Sequence, residues 1–333
     1  MLLFSQNHIN QSDHRCDPLV EDAVFFKPFF TRKIVMLANT HNHKNLFPSQ
    51  LITNSRNEIV YGGYIPAAIG PSLVITTSVL TSVNISLPIL IISYLIPLIV
   101  YSFDYYKDMD SDQETNQDRA AYFKAKSKIY PYILASYILI LSTLVIFFTN
   151  WQMVSFISIM IIASLTYPLG LKKLTKVFPA FKNMFTIFIW SLAGTFSLAV
   201  FNTLEISLTY LLIFLFFYLK MLPNTIFFDL KDVKSDTREK LKTLPVILGK
   251  VKTTKLMYIL NIVAFIPLLI GIWLKIFPLY AVLMVIFLFY SIYYISKSLQ
   301  LSDKEINHIF FILADIEFIL WPFIIFTGKL AVL

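Results

Sequence analysis

Charged residues are scarce in this chain, at 14% of its 333 residues, whereas soluble domains carry roughly 25%. Apolar residues make up 57%, and the mean hydropathy is +0.68. The single cysteine, Cys16, excludes a framework of disulfides within the chain, and the eight glycines predict little close helix packing through glycine. These scarcities predict a polytopic membrane protein. The net charge of +8 then indicates basic loops near anionic lipid and no nucleic-acid partner.

The first 60 residues differ from the rest of the chain. They are polar, mixed in charge and hold four of the five histidines, and no run among them has the length of a membrane span. "MLLF" is followed at once by polar residues, which argues against a signal peptide. We therefore predict a partly disordered cytoplasmic arm over 1–60 and a transmembrane domain over 61–333.

The transmembrane domain contains long apolar runs of about 20 residues, the length that a helix needs to cross a bilayer. The predicted spans are 63–83, 85–104, 130–149, 151–168, 183–201, 206–228, 255–274, 278–296 and 307–327. The predicted fold is therefore an all-α bundle of about nine transmembrane helices.

The connections between spans alternate between short turns and longer polar loops. The longer loops, at 105–129, 169–182, 229–254 and 297–306, carry most of the lysines and arginines of the membrane domain. Because positive residues are retained on the cytoplasmic side, these loops are predicted to form a cytoplasmic cap on the same side as the N-terminus. We expect an integral protein of the cytoplasmic membrane.

Two clusters of aspartates end predicted spans on this cytoplasmic side. The first is Asp104, Asp108 and Asp112, and the second is Asp229, Asp232 and Asp236. Both spacings place the carboxylates of a cluster on one face of a helix. The clusters are about 120 residues apart in sequence, yet the topology puts them on one side of the membrane, where they are expected to converge.

Converging carboxylates repel one another unless a cation lies between them. Oxygen ligands favour Mg²⁺ or Ca²⁺, and Mg²⁺ commonly completes its shell with water and substrate phosphate. Neighbouring lysines would hold the remaining phosphate charge. An apolar bundle below such a site suits a lipid tail, so the implied ligand is a prenyl diphosphate.

These residues also resemble the motifs of the UbiA superfamily of intramembrane prenyltransferases. Asp104, Asp108 and Asp112 match its first motif at the end of the second span, with aspartate in place of the usual asparagine at 104. Asp232 and Asp236 match the second motif, at the end of the sixth span. "KTLPVILGK" and "YPLGLKKLTKVFPAFKNMFTIFIW" are similar to the family's stretches after the second motif and after the fourth span. The resemblance covers about residues 60–330.

The resemblance implies a Mg²⁺-dependent transfer of a prenyl group to a small aromatic or lipid acceptor, in quinone, related lipid or isoprenoid biosynthesis. It implies that one ion is held by the first cluster and another by the second, with the aspartates acting as catalytic and metal-binding groups. It also makes Tyr167, Lys172, Lys173 and Lys182 contacts of the diphosphate. The loop 105–129 is interpreted as a lid that brings Arg119 over the phosphates.

Two alternatives remain open at this stage. A member of the same fold would cyclise its own prenyl diphosphate without an acceptor, and a secondary transporter would use Lys220 and Asp315 as a coupling pair. Lys220, Asp315 and Glu317 lie inside predicted spans, where charged side chains generally find a partner. We predict either an ion pair of Lys220 with one of these carboxylates or a polar lining of the acceptor pocket.

Overall fold

The computed structural model describes the backbone of residues 57–110, 113, 117–300 and 303–332. Within these residues it shows helices and no strand, which confirms the all-α class. Residues 1–56 of the predicted arm and Asp112 of the first acidic cluster lie outside the described residues. The division of the chain near residue 60 therefore stays a prediction.

The helices follow one another with short connections. In chain order they are α1 (Tyr64–Thr81), α2 (Leu87–Lys107), α3 (Gln117–Lys126), α4 (Tyr130–Phe148), α5 (Trp151–Leu169), α6 (Phe181–Phe201), α7 (Leu208–Asp229), α8 (Val233–Arg238), α9 (Leu244–Val263), α10 (Ile266–Trp273), α11 (Ile286–Gln300) and α12 (Asp303–Val332). Two 3₁₀ helices, Leu171–Lys176 and Leu279–Val285, follow α5 and precede α11.

In the described part of the chain, seven helical segments are long and apolar enough to cross a membrane. They match seven of the predicted spans. The remaining two predicted spans coincide with α5, whose apolar part over Trp151–Tyr167 is shorter, and with the 30-residue α12. The structure thus agrees with the predicted bundle of about nine transmembrane helices, and the protein is an integral membrane protein.

The seventh predicted span, 255–274, differs most from the structure. Helix α9 begins already at Leu244, is interrupted at Gly249 and then continues to Val263, and α10 follows from Ile266. Gly249 has φ +73°, a conformation that glycine adopts without steric cost and that breaks the helical path. The residues before this break lie in the predicted cap loop 229–254, and only their helical conformation was not predicted from the sequence.

The largest buried core contains a cluster of aromatic side chains around Trp321. The Trp321 ring of α12 lies 5.2 Å from the Phe216 ring and 5.5 Å from the Phe217 ring of α7, and Phe287 of α11 approaches it at 6.2 Å. All four side chains are buried. These contacts hold α7, α11 and α12 together and place α12 beside α7, which ends in the second acidic cluster.

Glycine mediates two close helix contacts in spite of its scarcity. A Cβ atom at Gly70 of α1 would lie 2.0 Å from the carbonyl oxygen of Ser93 in α2. A Cβ atom at Gly194 of α6 would lie 2.7 Å from the Cβ of Leu73 in α1. The central helix α1 therefore packs backbone-close against both neighbours, as small residues allow in membrane bundles.

The pair α4 and α5 lies on the outside of the bundle. Phe147 and Trp151, at the turn between these helices, are 76% and 74% exposed, as expected of side chains that face hydrocarbon. The turn is fixed by Asn150, whose side chain accepts a hydrogen bond from the Met153 amide at 2.7 Å and so caps α5.

The loops of the predicted cytoplasmic cap are joined to one another by backbone hydrogen bonds. The Ala180 amide donates to the Lys242 carbonyl at 3.0 Å, and the Lys242 amide donates to the Thr175 carbonyl at 2.9 Å. Helix α3 joins the same end of the bundle through an ion pair of Lys126 with Glu58. The cap is thus a connected structure over the helix ends that carry the aspartates.

Lys220 lies inside α7 and is buried. Its Nζ lies 2.6 Å from Glu317 Oε1 in α12 and donates to Asn261 Oδ1 at 2.6 Å. Of the two predicted arrangements, the ion pair is therefore present, and Glu317 is the partner. Asp315 instead lines a cavity.

Candidate active site

A cavity of about 360 Å³ opens between α1, α2, α5, α6, α7 and α12. Its inner end is apolar and includes Val74 of α1 and Ile89 of α2. Its other end is lined by Asp104 and Asp229, the last turns of α2 and α7, and by Lys182 from the first turn of α6. Since α2 and α7 end where α6 begins, these charged residues meet at the cap.

Asp229 is the last residue of α7 and is 1% exposed. Two consecutive residues of α6 hold its carboxylate. Lys182 Nζ lies 2.8 Å from Oδ1, and Asn183 Nδ2 donates to Oδ2 at 2.8 Å. A buried carboxylate is tolerated when it is paired and hydrogen-bonded, and here both oxygens are engaged.

The other residues of the second cluster lie immediately beyond α7. Asp232 is the residue before α8, and Asp236 lies within that helix, where Thr243 Oγ1 donates to its Oδ2 at 2.9 Å. Burial raises the pKa of Asp236 to about 6, and the nearby charges of Asp229 and Asp232 act in the same direction against Lys182 and Thr243. The cluster is therefore crowded with negative charge.

The first cluster reaches the same region from α2. Asp104 lines the cavity, and Asp108 ends the helix, with its amide donating to the Asp104 carbonyl at 2.9 Å. Burial lowers the pKa of Lys172, but the charges of Glu239 and Asp108 outweigh this effect and hold it above its usual value. Lys172 Nζ lies 2.7 Å from Glu239 Oε2. Lys172 is thus near carboxylates from two other cap loops, 105–129 and 229–254.

The remaining residues predicted to contact a diphosphate are spread around the cap. The Tyr167 hydroxyl is 3.2 Å from Thr175 Oγ1, and its ring lines the cavity. The Arg119 guanidinium lies 4.2 Å from the centre of the Tyr105 ring, which also lines the cavity. Lys173 is exposed on the 3₁₀ helix. Tyr167, Lys182 and Arg119 are therefore close to the cavity, whereas Lys173 is exposed and does not line it.

Two polar residues of this cavity were missed or left unassigned by sequence reasoning. Asn183 was overlooked, although it directly follows Lys182, and its buried Oδ1 has no hydrogen-bond partner in the described structure. Asp315, from α12, lines the same cavity as Asp104 and Asp229. The sequence signal for Asp315 was the presence of a charged residue inside an apolar span. The sequence did not show which neighbouring helices its side chain faces.

The family model that matches this chain is the UbiA prenyltransferase family, over residues 63–319. The chain belongs to the UbiA prenyltransferase family. The predicted family is thereby confirmed, and with it the assignment of the chain as a prenyltransferase enzyme. Comparison with curated protein sequences found no match.

Solved structures of UbiA homologues share the fold. One from Aeropyrum pernix K1, in its apo form, is 13% identical with a TM-score of 0.60, and the match covers 80% of this chain and 97% of that one. One from Archaeoglobus fulgidus, bound to DMAPP and Mg²⁺, is 15% identical with a TM-score of 0.53 and covers 80% and 99%. A digeranylgeranylglyceryl phosphate synthase is 18% identical with a TM-score of 0.50 and covers 85% and 96%. At these identities the likeness establishes the fold.

The donor atoms at the cap of this UbiA-family protein suit a hard divalent cation. Among the described residues, which exclude Asp112, no three acidic, histidine or cysteine side chains lie close enough to form a complete metal cluster. Mg²⁺, however, needs only one or two carboxylates when phosphate and water supply the other oxygens. The unpaired Oδ1 of Asn183 beside Asp229 is a further oxygen donor at this end of the cavity. The residues present therefore fit Mg²⁺ together with a diphosphate.

Proposed function

We propose that this protein transfers the prenyl group of a polyprenyl diphosphate to an aromatic or related lipid acceptor, with Mg²⁺ as cofactor. The observation that carries the proposal is that Asp104 and Asp229, from two acidic clusters about 120 residues apart, line one cavity with an apolar inner end. The product belongs to quinone, related lipid or isoprenoid biosynthesis. The Archaeoglobus fulgidus homologues are bound to DMAPP or GPP together with Mg²⁺, which supports the same donor chemistry here.

In this proposal the aspartates divide into two ligand sets. Asp104, Asp108 and Asp112 hold one Mg²⁺, and Asp232 and Asp236 hold the other with help from Asp229. Bound Mg²⁺ would supply Lewis-acid stabilisation of the negative charge that develops on the diphosphate as it leaves. The aspartates thus act through their position, because they fix the place where this charge is neutralised.

The basic residues bind the rest of the diphosphate. Lys182 already lies at the polar end of the cavity, paired with Asp229, and its 35% exposed side chain is accessible to a phosphate oxygen. Tyr167 lies near the end of α5, Lys172 and Lys173 lie on the 3₁₀ helix that follows it, and Arg119 approaches from α3. Fixed donors of this kind stabilise developing charge without reorganising during the reaction.

The apolar walls bind the prenyl tail and exclude water from the allylic cation. The C1–O bond breaks with its electron pair leaving on the diphosphate. An electron-rich atom of the acceptor forms the new bond to C1 and then loses its proton to the released diphosphate or to water. Rings near the cap, among them Tyr101, Tyr105 and Trp190, line the cavity and can stabilise a positive charge through their faces. The cation is therefore shielded until the acceptor reacts.

We also propose that the cap faces the cytoplasm and that the protein lies in the cytoplasmic membrane. The support is the concentration of lysine and arginine in the loops that form the cap. Masking experiments on single cysteines introduced into the cap and into the turn near Asn150 would test this orientation. Labelling of the cap from the outside of intact cells would contradict it.

The test of the function is an assay of purified protein in lipid nanodiscs with Mg²⁺, labelled geranylgeranyl diphosphate and a panel of acceptors. We expect acceptor-dependent release of diphosphate and a prenylated product. Cyclic hydrocarbon formed without an acceptor would instead identify a cyclase, and uptake of the donor into sealed proteoliposomes without chemistry would identify a transporter.

The same assay tests the aspartates. Asp108→Ala and Asp232→Ala are each expected to lower turnover by about 1,000-fold or more, because each removes a group that fixes the charge-stabilising metal. The matched control is Asp110→Ala, since Asp110 is an exposed carboxylate between two residues of the first cluster. Elution as a single folded species in detergent is expected for all three. Full activity in Asp108→Ala or Asp232→Ala would overturn the site assignment.

A further inference from the structure

Asp315 is a carboxylate of the cavity that belongs to neither acidic cluster. It lies on α12, the last helix in the sequence, and it lines the cavity together with Asn224 of α7. The Asn224 side chain is engaged with α12, since its Nδ2 donates to the Ala314 carbonyl at 2.9 Å. Within the described residues, no hydrogen bond to the Asp315 carboxylate is present.

The other charged residues of this cavity are already engaged in donor binding. Among the described residues that line it, Lys182 is the only lysine or arginine, and it is paired with Asp229. Asp104 belongs to the first cluster. An acceptor bound in this cavity therefore meets the carboxylate of Asp315. Among the described lining residues, no second lysine or arginine is present that could pair with a negative charge on the acceptor.

Aromatic rings flank the same part of the cavity. Tyr101 lines the cavity together with Asp315, and its ring lies 5.6 Å from the Tyr105 ring and 6.3 Å from the Trp190 ring. A planar acceptor that packs against these rings would direct a hydroxyl group at the carboxylate. Hydroxyl groups donate strongly to ionised carboxylates, whereas a second carboxylate would be desolvated beside a like charge.

We propose that Asp315 binds the acceptor through a hydroxyl group and selects a neutral, hydroxyl-bearing acceptor over one that carries a carboxylate. This proposal rests on the proposed prenyl transfer and adds the class of the acceptor. Asp315 is here an acceptor-binding residue, and the donor is bound without it. Specificity arises both from the hydrogen bond to the hydroxyl and from repulsion of the wrong acceptor.

A matched pair of acceptors tests the proposal. Dihydroxynaphthalene and dihydroxynaphthoate share one electron-rich ring system and differ only in the carboxylate. In nanodiscs with Mg²⁺ and geranylgeranyl diphosphate, we expect kcat/KM for the diol to exceed that for the naphthoate by about tenfold or more, the size of a charged hydrogen bond. Preference for the naphthoate, or transfer to neither with the donor bound, would overturn the proposal.

Asp315→Asn keeps the shape of the side chain and removes its charge. We expect this variant to raise KM for the diol by about tenfold, to bring the ratio of the two acceptors close to one and to leave KM for the donor unchanged. Asp315→Ala is expected to act in the same direction. If the substitutions acted only by disturbing the fold, KM for the acceptor, KM for the donor and the midpoint of thermal unfolding would all change together. An unchanged acceptor ratio in both variants would contradict the role of Asp315.

Glu205→Gln is the matched control, because Glu205 is an exposed carboxylate on the connection between α6 and α7. It should leave all parameters at their starting values. Binding of donor with Mg²⁺ is measured in the same samples. Loss of donor binding in the unaltered protein would count against the proposed function, whereas intact donor binding without acceptor discrimination would count against Asp315 alone.

Discussion

Helix α7 contributes to two lysine–carboxylate pairs that have similar chemistry and different surroundings. Lys220, inside the helix, pairs with Glu317 at 2.6 Å, and Asp229, at its end, pairs with Lys182 at 2.8 Å. The first pair is sealed within the bundle, and the second lines the cavity. The comparison distinguishes a charged pair that stabilises the fold from one that is available to a ligand.

The sealed pair is surrounded by hydrogen-bonding groups. Lys220 Nζ also contacts Asn261 Oδ1 at 2.6 Å and Ser291 Oγ at 2.5 Å, and Ser291 Oγ donates to Glu317 Oε2 at 2.8 Å. The group joins α7, α9, α11 and α12. Since neither Lys220 nor Glu317 lines the cavity, no ligand is needed to satisfy the charges, and we interpret the group as structural.

The pair at the cavity is more accessible. Asp229 is buried, but the Lys182 side chain is 35% exposed, and the neighbouring Asn183 leaves its Oδ1 without a partner. Such a site can exchange protein contacts for contacts with an ion or a phosphate. The position of this pair in the cavity lining, more than the ion pair itself, marks the place where a ligand binds.

The largest effect on stability is expected from Lys220→Met. This change keeps the length of the side chain and leaves Glu317 as an unpaired buried charge, which costs about 3–5 kcal/mol. Unfolding in detergent, followed by loss of helical signal, would measure it. A decrease below about 1 kcal/mol would contradict the structural role.

The control for this prediction restores charge balance. Lys220→Met combined with Glu317→Leu removes both charges, and replacement of a buried pair by apolar residues is often neutral. The double variant should therefore recover most of the stability lost in Lys220→Met and should bind donor with unchanged affinity. Loss of donor binding with restored stability would indicate that the sealed pair contributes to the site.

The sequence predicted that Lys220 has a partner but not which carboxylate it is. Asp315 and Glu317 are two residues apart, which places them about 200° apart around a helix. One of them must face away from Lys220, and the packing of Trp321 against Phe216 and Phe217 determines the rotation of α12. Only the tertiary structure decides that Glu317 pairs and Asp315 faces the cavity.

The elements that were predicted best have strong local signals. Runs of about 20 apolar residues located the spans, and the regular spacing of the aspartates located the ends of α2 and α7. The break at Gly249 and the contact of Asn183 with Asp229 have no such signal, because each depends on a backbone angle or on a distant helix. The roles assigned to the aspartates and lysines stay predictions until they are measured.

The second comparison variant is Lys182→Met, at the pair that lines the cavity. We expect kcat to fall about 100-fold, since one fixed donor to the developing charge is lost. Stability should fall less than in Lys220→Met, because water and Mg²⁺ can reach Asp229 from the cavity. The readouts are steady-state kinetics and detergent unfolding with and without Mg²⁺.

Lys176→Met serves as the control for Lys182→Met, since Lys176 is an exposed lysine of the same cap loop. It should retain both activity and stability. If Lys182→Met destabilised the protein as strongly as Lys220→Met, with or without Mg²⁺, the distinction between the sealed pair and the cavity pair would be lost.

The smallest effect is expected at a third pair, Glu58 with Lys126, which joins α3 to the start of the bundle and is partly exposed. Burial raises the pKa of Glu58, but hydrogen bonds from Lys126 and Tyr122 outweigh it and hold the pKa below 4.5. The stabilisation is therefore present above pH 4.5 and is lost as the pH falls through the lower folded-state pKa.

Because exposed ion pairs contribute less than about 1 kcal/mol, Glu58→Gln should increase local opening of α3 by no more than about fivefold. Amide hydrogen exchange of residues 117–126 at neutral pH measures this opening, with α7 as the internal reference. High salt should reduce the difference between Glu58→Gln and the unaltered protein, as should a pH low enough to protonate Glu58. A larger effect that is insensitive to both would mean that Glu58 supports the cap as the sealed pair supports the bundle.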